Sequence, residues 1–439
     1  MQVTIRLGYR YLWVDRYCIP QEHSAAKDDL INRMGEIFSA SSLTIIAACG
    51  EDSESGLAGI STRRSAQLSL KVNGHHLVAL VSSPNEVKAS KWTTRGWTYQ
   101  EGLLAQRRLI FTDKQAYFQC NASYSFEGWR GASRAKGRRA DKFQVFSDSG
   151  AASTFTLGRR IQEYWRKNLS YQTDALAAFL GIMNTFSNND EKFVHLHGLP
   201  LLPLDGSYEL PETQHEALPY IAQSLLWQSC AFSLRRNSCP SWSWVGWHLI
   251  ADHDDWSIYN PWYDIKLEAK VLVDISIVGE TQDGQILHIS AKESYGALRS
   301  FVNKVHPPRK LLLTGWCFDV TVPWSGGRRA LLSPWLDSLG SPHGIRFQSP
   351  FPVSEWFDVG QRQVACASDR LVGILLRHGQ HGVREGFHNY ACLLLEQVDD
   401  HLYERVGTVR FNFEASDYFT EGYNESLHPG IAKRTVHVV

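Results

Sequence analysis

The chain has 439 residues, 43% of them apolar, and its 45 basic and 45 acidic side chains cancel. That length exceeds one ordinary core and predicts two or three domains. The balanced charge supplies no global pull toward nucleic acid or an anionic membrane, and the lack of a signal-peptide core or of a run of about eighteen apolar residues predicts a soluble, cytoplasmic protein.

Fifteen Trp, seventeen Tyr and twenty Phe supply rings enough for a large core and for binding walls. Eight cysteines are scattered with no Cys-x-x-Cys pair, which argues against a zinc site and for reduced thiols in apolar settings. Cys18 would be a nucleophile only beside a basic partner, and a buried thiol is the preferred reading.

In chain order, Tyr9 to Asp15 is a short aromatic and β-branched run that reads as a buried strand, with Asp15 at the C-terminal edge where open α/β sheets face a ligand. Pro20 marks the loop that follows. Leu30, Met34, Ile37 and Phe38 then recur at helical spacing, and Leu43 to Ala48 reads as a second buried strand. Strand, helix and strand predict a parallel crossover unit. Asn73-Gly74 between two β-rich runs predicts a hairpin with His75 and His76 beside its turn, on opposite faces of a strand and so poorly placed to share a metal.

The segment Arg95 to Arg108 places one carboxylate, Glu101, among aromatic and amide neighbours. If Trp97 opens a helix, Glu101 lies one turn later on the same face. Leu103, Leu104 and Ile110 then anchor the segment, leaving Arg95, Gln100 and Glu101 as a polar face for a ligand or a partner. A structural carboxylate that pairs with Arg95 or Arg107 is the alternative. A second hairpin is expected over Leu109 to Cys120.

Residues 128–142 are basic and rich in Gly, Ala and Ser, which fits a solvated loop better than a nucleic-acid patch. Helical spacing over 159–186 predicts two helices broken near Ser170, the second capped by Thr173. His195 and His197 alternate as on a strand, without a third metal ligand nearby. A helix is expected over 219–228. Trp242, Trp244 and Trp247 make either an aromatic clamp or, preferably, one face of a strand. From Ile265 the texture becomes short β-rich runs (266–278, 285–289, 310–322, 371–377, 390–397 and 406–413), which predicts a mostly antiparallel domain without a phosphate loop.

Three blocks carry a resemblance: Tyr11-Leu-Trp-Val-Asp-Arg-Tyr-Cys-Ile-Pro-Gln21, the helix and strand through Met34, Ile37, Phe38 and Ala40, and Arg95-Gly-Trp-Thr-Tyr-Gln-Glu101. They are similar to the fungal heterokaryon incompatibility (HET) domain family. Further similarity runs through 173–182, 224–227, 240–247 and 403–407, blocks without assigned chemistry. HET domains usually begin with a strand of the type Leu-Ser-Tyr-x-Trp-Gly, and this chain starts downstream of it, as a truncated or degenerate member would.

The resemblance implies a role in non-self recognition and programmed cell death, with partners among further copies of the chain and other incompatibility or NLR-type signalling proteins, and with neither nucleic acid nor membrane. It also implies a core distantly like Toll/interleukin-1 receptor (TIR) domains. The expected architecture is therefore α/β: a TIR-like (flavodoxin-like), N-terminally truncated parallel-sheet domain with added hairpins at 1–120, a linker at 121–157, a helical extension at 158–250 and the β-rich region at 251–439.

In catalytic TIR domains a Glu four residues after a Trp supports cleavage of NAD between nicotinamide and ribose. Its match here is Glu101, with Trp97, Asp15 and Arg95 as the implied substrate-binding residues, NAD as substrate rather than cofactor, and no metal. One carboxylate near the ribose suits the oxocarbenium charge that such a cleavage develops. A signalling module working by self-association without turnover, and an inactive truncated member, are the alternatives.

Overall fold

The computed structural model describes residues 1–127 apart from 23, 53, 68 and 79–82, then 133–134, 144–146, 154–186, 194–201, 214–227, 233–249, 270–321, 355–357, 370–380, 388–413 and 431–439. The chain divides into two compact units, Met1–Ala151 with Lys167–Thr185, and Ala152–Arg166 with Phe186–Val439.

The first unit is built on a five-stranded sheet in the order Thr44–Ala47, Arg107–Phe111, Ala116–Cys120, Ser123–Phe126, Ser133–Arg134. Only the first pair is parallel, with Ile46 opposite Ile110; the other neighbours are antiparallel. Alternation sets the two faces. Ile46, Ile110, Tyr117 and Tyr124 enter one apolar cluster with Val87 and Phe146, while Ile45 and Leu109 pack on the other side with Val3, Cys49 and Ala58.

Both hairpins form. In the Ser69–Val72 and His75–Val78 ribbon, Asn73 and Gly74 both take positive φ (46° and 80°), the conformation a two-residue turn of this hand requires. The predicted helix is two, Ala25–Asn32 and Met34–Ala40, broken at Arg33 (φ −96°, ψ 4°). Ser24 caps the first, its Oγ accepting from the Lys27 N–H at 3.2 Å.

The expected strand at Tyr9 to Asp15 is absent. A strand needs a hydrogen-bonding neighbour, and none among the described residues pairs with residues 9–14. Instead Tyr9, Tyr11 and Leu12 are exposed, Trp13 packs edge-on against Phe38 with centroids 5.7 Å apart, and Asp15 opens a short helix, Asp15–Cys18. Strand propensity was local; the partner was not. The parallel connection therefore runs from Thr44–Ala47 to Arg107–Phe111 rather than from a strand at residue 9.

After the break near Ser170 comes a 3-10 turn, Gln172–Ala175, and the helix Ala177–Asn184. Thr173 lies within that turn and caps neither element. Of residues 128–142 only Ser133–Arg134 is described, as the strand above; the remainder lies outside the described residues.

The second unit contains a mostly antiparallel nine-stranded sheet. Its core order is Lys270–Val271, Arg370–Gln380, His388–Asp399, Leu402–Phe413, Ile431–Val438, Lys310–Thr321, Val273–Glu280, Ile286–Ser290, with Glu355–Phe357 paired to Leu402–Phe413. The one parallel contact joins Leu402 and Tyr403 to His437 and Val438. Each β-rich run of the sequence contributes strands here, residues 266–269 and 322 lying outside the described ones, and the residues of Val273–Glu280 alternate between buried and less buried.

Trp242, Trp244 and Trp247 do not form one strand face, since only Trp247 lies in a strand, Trp247–Leu249. Trp242 precedes a 3-10 turn, Trp244–Gly246, and all three rings are buried. Their indole N–H groups donate inward: Trp242 to the Arg309 carbonyl at 3.2 Å, Trp244 to that of Gly198 at 2.8 Å and Trp247 to that of Ser241 at 2.8 Å. Satisfied and enclosed, these rings are core rather than a clamp.

Candidate functional site

The helix Gly96–Leu104 carries Glu101 and is held at both ends. At its start no side chain caps it; the Gly96 N–H donates to the Asn168 carbonyl and the Asn168 N–H to that of Thr94, both at 2.7 Å. At its end Arg108 donates to the carbonyls of Gly102 and Leu103, placing a buried cation where the helix dipole favours one. Along its flank it crosses the helices Met34–Ala40 and Ala177–Asn184.

That crossing uses the residue expected to be free. Gln100 is buried, and its Oε1 accepts the Gly181 N–H at 2.9 Å. The expectation of an open Gln100 is thus corrected. Its amide satisfies backbone across a helix contact, a role set by a residue 81 positions away. Trp97 is also anchored: its Nε1 donates to Asp174 Oδ2 at 3.1 Å, which leaves the face of the ring, not its N–H, for any ligand. Asp174→Ala is expected to cost about 1–2 kcal/mol, read from urea unfolding. In a Trp97→Phe background the same change has no further effect; full additivity would mean that the bond contributes nothing.

Glu101 differs from these neighbours. Only partly buried as a residue, it holds its carboxyl among protein atoms that raise its pKa to about 7, burial being the main cause, with Arg95 opposing and Asp15 adding to the rise. No hydrogen bond or ion pair to this carboxyl forms among the described residues. The structure thereby brings three of the four expected residues into one electrostatic neighbourhood, with Trp97 one turn away on the helix. Arg95 and Asp15 are both exposed. Arg95 precedes the Glu101 helix in extended backbone (φ −85°, ψ 142°), and Asp15 binds its own neighbour's N–H, Arg16 to Oδ1, at 2.7 Å. A carboxyl that titrates near neutrality beside a cation is equipped to exchange a proton or to stabilise positive charge at physiological pH.

The other candidates carry less. Cys18 is exposed rather than buried, its Sγ accepting the Val14 N–H at 3.5 Å; Cys49, Cys239, Cys317 and Cys392 are buried and Cys120 is intermediate, while Cys230 and Cys366 lie outside the described residues. His195 and His197 do not share a strand face, because His197 takes positive φ (42°) in a tight turn. Among the described residues no three His, Cys, Asp or Glu side chains form a group able to hold a metal, and no helix is long and apolar enough to cross a membrane. Two contributors were missed by sequence reasoning, Asp174 and Arg108. Neither has a local signal, since each acts on a helix through contacts that only the fold creates.

Residues 1–101 match the family model of the heterokaryon incompatibility protein (HET). No curated protein and no solved structure matches the chain. The matched segment runs from the exposed N-terminal residues through Asp15, Arg95 and Trp97 and closes on Glu101.

Proposed function

We propose that this chain, with a HET domain at residues 1–101 and hence a role in heterokaryon incompatibility, is a cell-death effector that hydrolyses NAD at the bond between nicotinamide and ribose. The observation that carries the reading is Glu101, a carboxyl poised near pH 7 without a fixed hydrogen-bond partner and flanked by Arg95 and Asp15. A purely structural carboxylate would instead be paired and held low. The parallel pair of Thr44–Ala47 and Arg107–Phe111 with its helices supports a TIR-like, flavodoxin-like core for the first unit.

In the reaction the C1′–N bond breaks and its electron pair leaves with nicotinamide, which becomes neutral. Water adds to C1′, and the proton it releases passes to the Glu101 carboxylate or to solvent. Ionised Glu101 stabilises the oxocarbenium charge as it develops. Arg95 is suited to the pyrophosphate and Asp15 to a ribose hydroxyl.

A second reading, self-association without turnover, is supported by the apolar surface at Ile5, Leu7, Tyr9, Tyr11, Leu12 and Tyr17, with Tyr11 and Tyr17 each 81% exposed. The deciding experiment is nicotinamide release from NAD by the purified chain over a rising concentration series, with Glu101→Ala alongside. Release by the parent, its kcat/KM climbing through about pH 7 as Glu101 ionises, and none from a folded variant is the expected result. Folded parent that releases nothing at any concentration excludes the enzyme and leaves the association module.

A further inference from the structure

Three sequence blocks without assigned chemistry, those at 224–227, 240–247 and 403–407, meet at one residue in the second unit. Arg405 is fully buried, its guanidinium lying over the Trp227 ring at 3.6 Å from the centroid. Its Nη2 donates to the Trp227 carbonyl, and its backbone N–H donates to Ser241 Oγ at 2.8 Å. Trp227 is fixed in turn by its own Nε1, which donates to the Trp242 carbonyl at 2.8 Å.

Stacking on an indole satisfies the face of a guanidinium and leaves its rim of N–H donors unserved. Here Nε and Nη1 are buried and find no acceptor among the described residues. Nor does a carboxylate neutralise the charge among the described residues. Glu404, next on the strand, points to the opposite face, where Arg235 pairs with it at 3.0 Å, and Glu396 stands opposite Glu404 in the same register. On its own face Arg405 is opposite Leu395.

A guanidinium stays charged in a protein interior, and a charge removed from water without a partner is strongly unfavourable. Water relieves the two donors but not the charge. An oxyanion relieves both, with short charge-assisted bonds. We propose that buried Arg405 is the anchor of an anion site that takes one small oxyanion, a phosphate or a carboxylate group, on Nε and Nη1 beside the Trp227 ring.

The test is equilibrium urea and thermal unfolding of the full chain with inorganic phosphate or acetate, against chloride at equal ionic strength. Because an anion bound only to the folded chain stabilises it by mass action, access to a closed site does not limit the readout. The expected result is a midpoint that rises by about 3 °C at roughly ten times the dissociation constant and thereafter only with the logarithm of anion concentration. Phosphate acting alone assigns the site to phosphoryl groups, and acetate acting as well assigns it to carboxylates. Arg405→Met, which keeps most of the volume, abolishes the logarithmic rise.

Equal shifts in parent and variant overturn the proposal. So does a response of the parent that stays linear in salt concentration throughout, the signature of general salt exclusion. That second criterion needs only the parent and holds even where Arg405→Met fails to fold.

Discussion

Glu101→Gln is expected to leave stability unchanged at pH 4 and to raise it by about 3 kcal/mol at pH 8. The folded chain holds the Glu101 carboxyl at about pH 7, against an ordinary value of 4.5, and each unit of such a difference corresponds to about 1.4 kcal/mol. Between those two pH values the folded state keeps a proton that the unfolded state has released. Stability therefore falls as pH rises through that window and stays low above it. The contribution is complete below about pH 4.5 and lost by the time pH passes 7. Glutamine has no proton to lose, so its curve omits that fall, and the two proteins separate only across the window. Urea midpoints at half-unit pH steps measure the difference directly, since other titrating groups affect both chains alike. Parallel curves would mean a solvated carboxyl and would remove the basis for a poised group. A gain in stability from neutralising one residue, joined to a loss of nicotinamide release, is the pattern of a group retained for chemistry at the expense of the fold.

What the sequence reveals of this site is whatever a helix turn can encode. Trp97 and Glu101 share a face because four residues make about one turn, and Leu103 and Leu104 announce the anchoring side. The β-rich runs of the second unit are legible for a similar reason: alternation along Val273–Glu280 is a local signal of one buried face. Tyr9 to Asp15 shows the limit. Its composition suits a strand, but a strand is a pairing, and among the described residues the parallel partner of Thr44–Ala47 comes from Arg107–Phe111. Gln100 shows the same limit in a side chain, where an amide at a polar position became a buried acceptor for a backbone N–H in another helix. The Trp242, Trp244 and Trp247 spacing looked like strand alternation, yet each indole donates to a main-chain carbonyl, those of Trp242 and Trp244 reaching distant Arg309 and Gly198. Local periodicity thus located the carboxylate and its helix, and long-range hydrogen bonds decided which of its neighbours remain available.

Gly181→Ala is expected to destabilise the first unit by about 2–3 kcal/mol, although in a solvent-exposed helix the same change is worth about 1 kcal/mol in the opposite direction. A Cβ at Gly181 would sit 2.5 Å from Gln100 Oε1 and 2.8 Å from the Cα of Gly35. One of those contacts is backbone, and the other is a buried amide already bonded to the Gly181 N–H, so neither yields cheaply. Overfilling such a contact costs about 1–3 kcal/mol, and a displaced Gln100 adds the penalty of an unsatisfied buried amide, about 1–3 kcal/mol. A double-mutant cycle with Gln100→Ala divides the two. If the amide is the obstacle, Gly181→Ala costs less once it is shortened; if the approach to Gly35 is, the cost persists. A neutral or stabilising Gly181→Ala in urea unfolding would show that the helices Met34–Ala40 and Ala177–Asn184 do not meet at their glycines. Because Gln100 precedes Glu101 on the helix between them, the same substitution shifts the carboxyl it was not aimed at. Its folded pKa should then fall back toward 4.5, and the pH window that separates parent from Glu101→Gln should narrow in the Gly181→Ala background.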